Sequence, residues 1–254
     1  MIKQTVRDDA LLEAMAQDAL RQCETWHRPC FIGFLDEREQ CLVRNLMEKT
    51  GNENYMFWGG YAAAERVVFG AFPAYLVPEE SCFPFSPVTV SFREIDGLCH
   101  RDFLGALMAL GIERSTVGDI LTEPGRCVLF LREEVLPYVL QQIRKIGAVG
   151  VTVTPGAEQP YPEGRRFRTI SAVVSALRAD CIAAACTGLS REKAKSQISA
   201  GLVSVNYAIC LSPSQLLCQG DVLSIRGSGK FRLEETGRMT RKGRIAIQIK
   251  KYLS

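Results

Sequence analysis

Residues 154–166, TPGAEQPYPEGRR, carry three prolines and two glycines and show no apolar periodicity. Proline removes a backbone donor and fixes φ, and glycine loosens the chain, so neither a helix nor a strand is expected to run through the stretch. It reads as a linker and divides the chain into at least two bodies. With 254 residues and 47% hydrophobic side chains, two or three small cores are within reach. A weaker break falls at 76–87, LVPEESCFPFSP, again with three prolines. Three domains follow: 1–80, 81–155 and 167–254.

The linker also separates charge. Residues 167–254 hold 14 Lys and Arg against 5 Asp and Glu, a net +9, whereas residues 1–166 hold 17 against 23, a net −6. Such a split is the electrostatic footprint of a polyanion-binding module joined to a body that need not bind polyanions. A solvated basic face would look the same, so the charge needs a motif beside it.

Between the two breaks the periodicity switches regularly. VTVSF (88–92) alternates as a strand, and DFLGALMAL (102–110) has helical apolar spacing and stops at Gly111. VGDI and CVLFL (127–131) read as strands joined through Pro124 and Gly125. EEVLPYVLQQIRKI (133–146) reads as a helix and VGVTV (149–153) as a closing strand. The order β-α-β-β-α-β is ferredoxin-like, shared with many RNA-binding domains. CVLFL lacks the aromatic run with which such a sheet stacks bases, so the arrangement alone does not establish RNA reading.

The N-terminal part reads as α/β. DDALLEAMAQDALRQCE is an amphipathic helix, and DEREQCLVRNLMEKT is another, with Asp36 and Glu39 at capping-box spacing. YMFWGGYAAAERVVFGAFPAYLV reads as strand, Gly59-Gly60 turn, helix, strand. An anion can sit where such a turn feeds a helix, but a tight turn explains the glycines equally well.

In the basic part, SALRADCIAAACTGL forms a short helix that Gly188 can end. Ser190 then caps a second helix over SREKAKSQISAG, closed by Gly201. Ala194 and Ile198 point to the core. Arg191 and Lys195, four apart, share an outward face, where an exposed arginine supports little packing. LVSVNYAIC, VLSIR and GRIAIQIKKY add strands, so a helix pair is backed by a small twisted sheet.

The pattern Arg178-x-Asp180, Ser190-Arg191-x-x-Ala194, Ile198-x-x-Gly201-x-Val203-x-Val205-Asn206 and Gly220-Asp221 resembles the RNA-binding domain of the ribosomal protein S4 type, the αL motif. One departure is Tyr207, where many members have glycine, a change that can widen the turn. The resemblance implies an RNA-binding set of Arg178, Asp180, Ser190, Arg191, Lys193, Lys195, Asn206 and Lys230. Arg178, Arg191 and Lys195 would meet phosphates, Asp180 would orient an arginine, and Asn206 with Gly201 would shape the turn.

FLDEREQ (34–40), GGYAAAER (59–66), LCHRDFLGALMALGIERSTVGDI (98–120) and IRGSGKFRL (225–233) extend the resemblance end to end, to the YlmH family of bacterial RNA-binding proteins. That resemblance implies an α+β protein with an N-terminal α/β domain, a ferredoxin-like middle and a C-terminal S4-type domain. It also implies a non-catalytic role on large ribosomal subunits carrying a stalled peptidyl-tRNA, in ribosome-associated quality control. The expected partners are large-subunit ribosomal RNA and the peptidyl-tRNA, with the protein itself a monomer.

Catalytic alternatives find little support. HRDF (100–103) echoes a kinase catalytic loop, but Leu107 stands where that loop needs Asn, and Asp102 reads as a helix cap. Pseudouridine synthases also use S4-type domains, usually N-terminal ones, and HRDF is a faint echo of their Arg-Leu-Asp segment; an rRNA-modifying enzyme is the alternative reading. GSGK (227–230) lacks the upstream glycine and following Ser/Thr of a P-loop. With two histidines and no CxxC pair among ten cysteines, no metal or cofactor is expected, and the thiols read as buried and reduced. The first twenty residues have no signal-peptide run and no segment has the apolar length of a membrane span, so a cytoplasmic location is expected.

Overall fold

The computed structural model describes residues 2–163, 167–239 and 243–253. The protein is a mixed α+β chain with several antiparallel sheets, and it divides into two compact units, Met1–Gly164 and Arg165–Ser254.

The first unit begins with α1 (Ile2–Trp26), β1 (Cys30–Leu35), α2 (Glu37–Thr50), β2 (Tyr55–Trp58) and β3 (Val67–Ala71). The strands form an antiparallel sheet in the order β1-β3-β2. Asp36 and Glu39 make the reciprocal capping box at the start of α2, as their spacing predicts. Leu12, Ala16, Ala19 and Cys23 of α1 and Val43, Leu46 and Met47 of α2 close over one sheet face against Ile32, Leu35, Phe69 and Ala71.

Next come β4 (Phe85–Ser91), α3 (His100–Ala109), β5 (Val117–Glu123), β6 (Arg126–Arg132), α4 (Leu136–Gln142), the short pair β7 (Lys145–Ile146) and β8 (Val149–Gly150), and β9 (Thr152–Pro155). The sheet order is β5-β6-β4-β9, antiparallel throughout. Phe103, Leu107, Val139 and Ile143 of the helical segments pack on Val88, Val90, Cys127, Leu129 and Leu131. The helix expected over 133–146 is one central segment only. Ile143 leaves helical geometry, Lys145 and Ile146 turn into a hairpin, and the closing strand starts at Thr152 rather than 149.

The other face of this second sheet is also covered. Leu121, Val128 and Phe130 meet Phe34, Val68, Phe72 and Phe83 in a shared aromatic layer. With both faces of β6 buried, its sequence is continuously apolar instead of alternating. The proline-rich break at 76–87 therefore lies inside one unit, where Phe83 and Phe85 contribute rings to the layer. Gly118 sits at this seam, where a Cβ would come within 2.6 Å of the Phe34 ring.

The expected helix after Gly59-Gly60 is absent. Residues 60–66 form turns wrapped on Asp119, whose carboxylate accepts hydrogen bonds from the Tyr61 hydroxyl at 2.7 Å and the amides of Glu65 and Arg66 at 2.8 and 3.0 Å. Amides claimed by a buried carboxylate are not open to an outside anion. The first half of the expected linker is likewise fastened down. Ala157 and Tyr161 join the aromatic layer, and Arg126 donates to the carbonyls of Glu158 and Pro160.

The second unit contains β10 (Phe167–Val174), α5 (Ala179–Thr187), α6 (Arg191–Ser199), β11 (Val203–Val205), β12 (Ala208–Ile209), β13 (Val222–Ile225), β14 (Gly229–Met239) and β15 (Ile245–Tyr252). The sheet order is β10-β15-β14-β13-β11-β12. Ile182, Cys186, Ala194 and Ile198 of the helix pair bury against Val203, Val205, Leu223, Ile225, Phe231, Leu233, Ile247 and Ile249. The alternation of Ile245, Ile247 and Ile249 marks that inward face in the sequence.

Candidate nucleic-acid interface

Asp180 stands on the first turn of α5 with no exposed surface. The loop 213–217 seals that helix end. Ala179 and Asp180 donate their amides to the carbonyls of Gln215 and Pro213, and Leu217 donates to Leu177. A buried carboxylate must be paired, and here it takes two guanidinium groups. Arg178 Nε donates to one oxygen at 3.2 Å and Arg191 Nε to the other at 2.8 Å. Burial pushes the Asp180 carboxyl upward, but the Arg191 hydrogen bond, one from Cys181, and the Arg191 and Arg178 charges outweigh it and hold it below the usual value. Both arginines keep part of their side chains in solvent, 35% and 45%. Asp180 thus fixes two cations side by side, one at the N-cap of α5 and one opening α6, while leaving each accessible.

Ser190 caps α6 by accepting the Lys193 amide at 3.4 Å. Lys195 shares the Arg191 face and pairs with Glu192 at 2.8 Å. Lys193, two positions beyond Arg191, points to a different side of the helix and is exposed. Three cations in the first five residues of α6 oppose the positive end of the helix dipole. The helix dipole therefore does not account for these charges.

Asn206 and Lys230 lie elsewhere. Asn206 donates to Asp221 at 2.8 Å and accepts from the Val222 amide at 2.9 Å, so its amide group is spent on the turn. Asn206 and Tyr207 both have positive φ, 46° and 68°, in a two-residue connection between β11 and β12. Tyr207 does not widen this turn; its hydroxyl accepts from Lys230 at 3.1 Å. Lys230 alternates with the buried Phe231 and Leu233 along β14 and therefore projects from the sheet face opposite the helix pair. Tyr207 stands out in the sequence only as a departure from the turn pattern, and Tyr252 and Phe167 near it carry no motif; the signal for the latter two is aromatics at the ends of alternating, basic strands.

In the first unit, the sheet face on which a βαββαβ domain would stack bases is buried, with Val128 and Phe130 at 0% exposure. Asp102 is the third residue of α3, and its carboxylate accepts the Cys99 amide at 2.8 Å, a capping position. A cavity of about 530 Å³ is lined by Trp58, Tyr61, Glu80 and Tyr161, and residues 100–103 do not line it. No cluster of His, Cys, Asp and Glu suited to a metal occurs among the described residues, and no helix there is long and apolar enough to cross a membrane.

The second unit is thus a sheet-backed helix pair that presents two arginines fixed by one buried carboxylate. Comparisons with known proteins narrow this further. Residues 78–159 match the family described as "Putative RNA-binding domain in YlmH". The chain is 28% identical over 255 residues to "Ribosome-associated protein quality control protein P2" of Bacillus subtilis, covering 96% of each. A solved structure, "Cell division protein ylmH from Streptococcus pneumoniae", shares the fold with a TM-score of 0.53 at 21% identity, covering 59% of this chain and 92% of that one. The resemblance to the YlmH family carried by the sequence motifs is borne out.

Proposed function

We propose that this chain is a non-catalytic, ribosome-associated RNA-binding protein that grips large-subunit ribosomal RNA through α5 and α6. The observation that carries this reading is the buried Asp180 carboxylate holding Arg178 and Arg191 at one surface. Guanidinium pairs in fixed orientation suit phosphate oxygens, and each keeps donors beyond the one given to Asp180. Lys195 extends the same face, and Lys193 adds a flanking charge. Asp180 and Ser190 position this set, Asn206 shapes the turn behind it, and Lys230 is left for a different surface. The β10–β15 unit with its helix pair is read as an S4-type domain. The β-α-β-β-α-β order and the β5-β6-β4-β9 sheet support a ferredoxin-like middle, and residues 1–80 are read as an α/β domain built onto it.

The name of the Bacillus relative supports a place in ribosome-associated quality control. In this reading the protein acts in the cytoplasm, as a monomer, on subunits that retain peptidyl-tRNA. The test is cosedimentation of the full chain with large subunits, together with RNA affinity as a function of salt. Four or five phosphate contacts give a log-log slope of roughly −3 to −5, because each neutralised phosphate releases counterion. Comigration with large subunits and such a slope are expected; a flat salt dependence would remove the phosphate grip. Asp102→Asn should retain RNA binding and fold, since its role is to cap α3. Loss of an RNA modification in that variant would favour an rRNA-modifying enzyme.

A further inference from the structure

The second unit has another face that α5 and α6 do not use. On the side of the sheet away from the helix pair, Phe167 of β10 pairs across the strands with Tyr252 of β15, their rings 4.9 Å apart and edge to face. Lys230 sets its ammonium 4.8 Å from the Tyr252 ring centre and 5.1 Å from that of Tyr207. Lys250, next outward along β15, lies 5.7 Å from the Phe167 ring, and its cross-strand neighbour is Arg232. Three aromatic rings and three cations thus share this face, with Glu234, bonded to Lys250 at 3.1 Å and 3.9 Å from Arg232, among them.

Two features argue that this face meets a ligand. Phe167 is 42% exposed at the sheet margin, so part of its ring is open to a stacking partner while the rest packs on Tyr252. The cations stand beside the rings, so an anionic group drawn to Lys230 or Lys250 arrives next to an aromatic surface. Unpaired nucleotides carry that combination, a phosphate and a flat base at a fixed separation. A structured duplex hides its bases and would be served by charge alone.

We infer that the Phe167, Tyr207 and Tyr252 face, with Lys230, Lys250 and Arg232, is a second RNA-contact surface that takes a short unpaired segment by base stacking. It rests on the reading of this chain as an RNA-binding protein but uses residues apart from the α5–α6 grip. One molecule would then hold folded RNA on its helix pair and a single-stranded stretch on its sheet.

The probes are a short oligouridylate, inorganic polyphosphate as a polyanion without bases, and large-subunit ribosomal RNA, each titrated into the full chain. Phe167→Leu keeps an apolar side chain but removes the ring. It should weaken oligouridylate binding about tenfold, with the salt slope and polyphosphate binding unchanged. Lys230→Gln should weaken both probes. In Phe167→Trp the added indole should be quenched by oligouridylate, above the signal of the native Trp26 and Trp58. Unchanged oligouridylate affinity in Phe167→Leu, an equal loss on polyphosphate, or no quenching overturns the stacking surface. If ribosomal RNA still binds through Arg191 in that case, only this inference falls; if ribosomal RNA does not bind at all, the proposed function falls with it.

Discussion

Asp180, wholly buried, accepts the Arg191 Nε hydrogen at 2.8 Å and thereby ties the first turn of α5 to the first residue of α6. Because the arginines hold its carboxyl below the usual value despite burial, the charged form stabilises the fold. A carboxylate with a lowered folded-state pKa contributes stability above its unfolded pKa, near 4, and loses that contribution as pH falls through the folded value. Asp180→Asn should therefore cost about 1–3 kcal/mol at neutral pH. The difference from the native chain should begin to shrink as pH falls below about 4 and narrow further toward the lower folded value. Thermal unfolding of both proteins across pH 3–7 measures it, and a pH-independent gap would show that the charge is not what matters.

Arg191→Ala removes the stronger of these two pairings. The sequence places this arginine on an exposed face with little packing, but its link to a buried carboxylate changes that expectation. The variant should lose RNA affinity, with the salt slope falling by about 1. It should also lose about 1–2 kcal/mol of stability, since Asp180 keeps only Arg178. Lys193→Ala, on a side chain outside this cluster, should leave stability within about 0.5 kcal/mol. Parallel melting and RNA titration of the two variants separates the positioning role from simple charge.

Much of the second unit is legible because its signals are local. Ser190, Gly188 and Gly201 mark helix ends within a few residues, and the isoleucines of β15 alternate without interruption. The first unit hides its decisive contacts at long range. Nothing near Gly59-Gly60 announces that Asp119, more than fifty positions on, will take the amides of Glu65 and Arg66 and prevent a helix there. The continuously apolar β6 does not say what covers its second face, which emerges only when Phe34 and Phe72 are seen against Phe130. The Asp180 clamp is half legible: the Arg178-x-Asp180 spacing stands in the sequence, but the reach of Asp180 to Arg191, eleven positions on, follows only from how α6 packs beside α5.

The cysteines should react in a definite order. Burial raises Cys23 to about 11 and Cys186 to about 12, and pushes Cys127 well above the ordinary thiol range. Cys99 and Cys218 are exposed. Thiolate is the reactive form, so alkylation of the native chain near pH 8 should label Cys99 and Cys218 first and leave Cys23, Cys127 and Cys186 until unfolding. Peptide mapping after timed iodoacetamide treatment reads the order directly. Early labelling of Cys186 would mean that α5 opens readily from its sheet.

Gly201 closes α6 with φ at +68°, a backbone region in which an L side chain is strained. Space is not the obstacle, because a Cβ there would meet Ile209 and Leu211 at 3.7 and 3.9 Å, ordinary contact distances. The cost of Gly201→Val is therefore conformational, about 2 kcal/mol for a β-branched residue forced into the left-handed region. Gly105 makes the matched control: it lies inside α3 with no atom within 4 Å of a Cβ and no positive φ. Gly105→Ala should stabilise by about 0.5–1 kcal/mol through a less mobile unfolded chain. Thermal melts should move in opposite directions for the two variants. A Gly201→Val protein that melts like the native chain would show that α6 can end without the left-handed residue, and the position of Arg191 and Lys195 would then no longer depend on that turn.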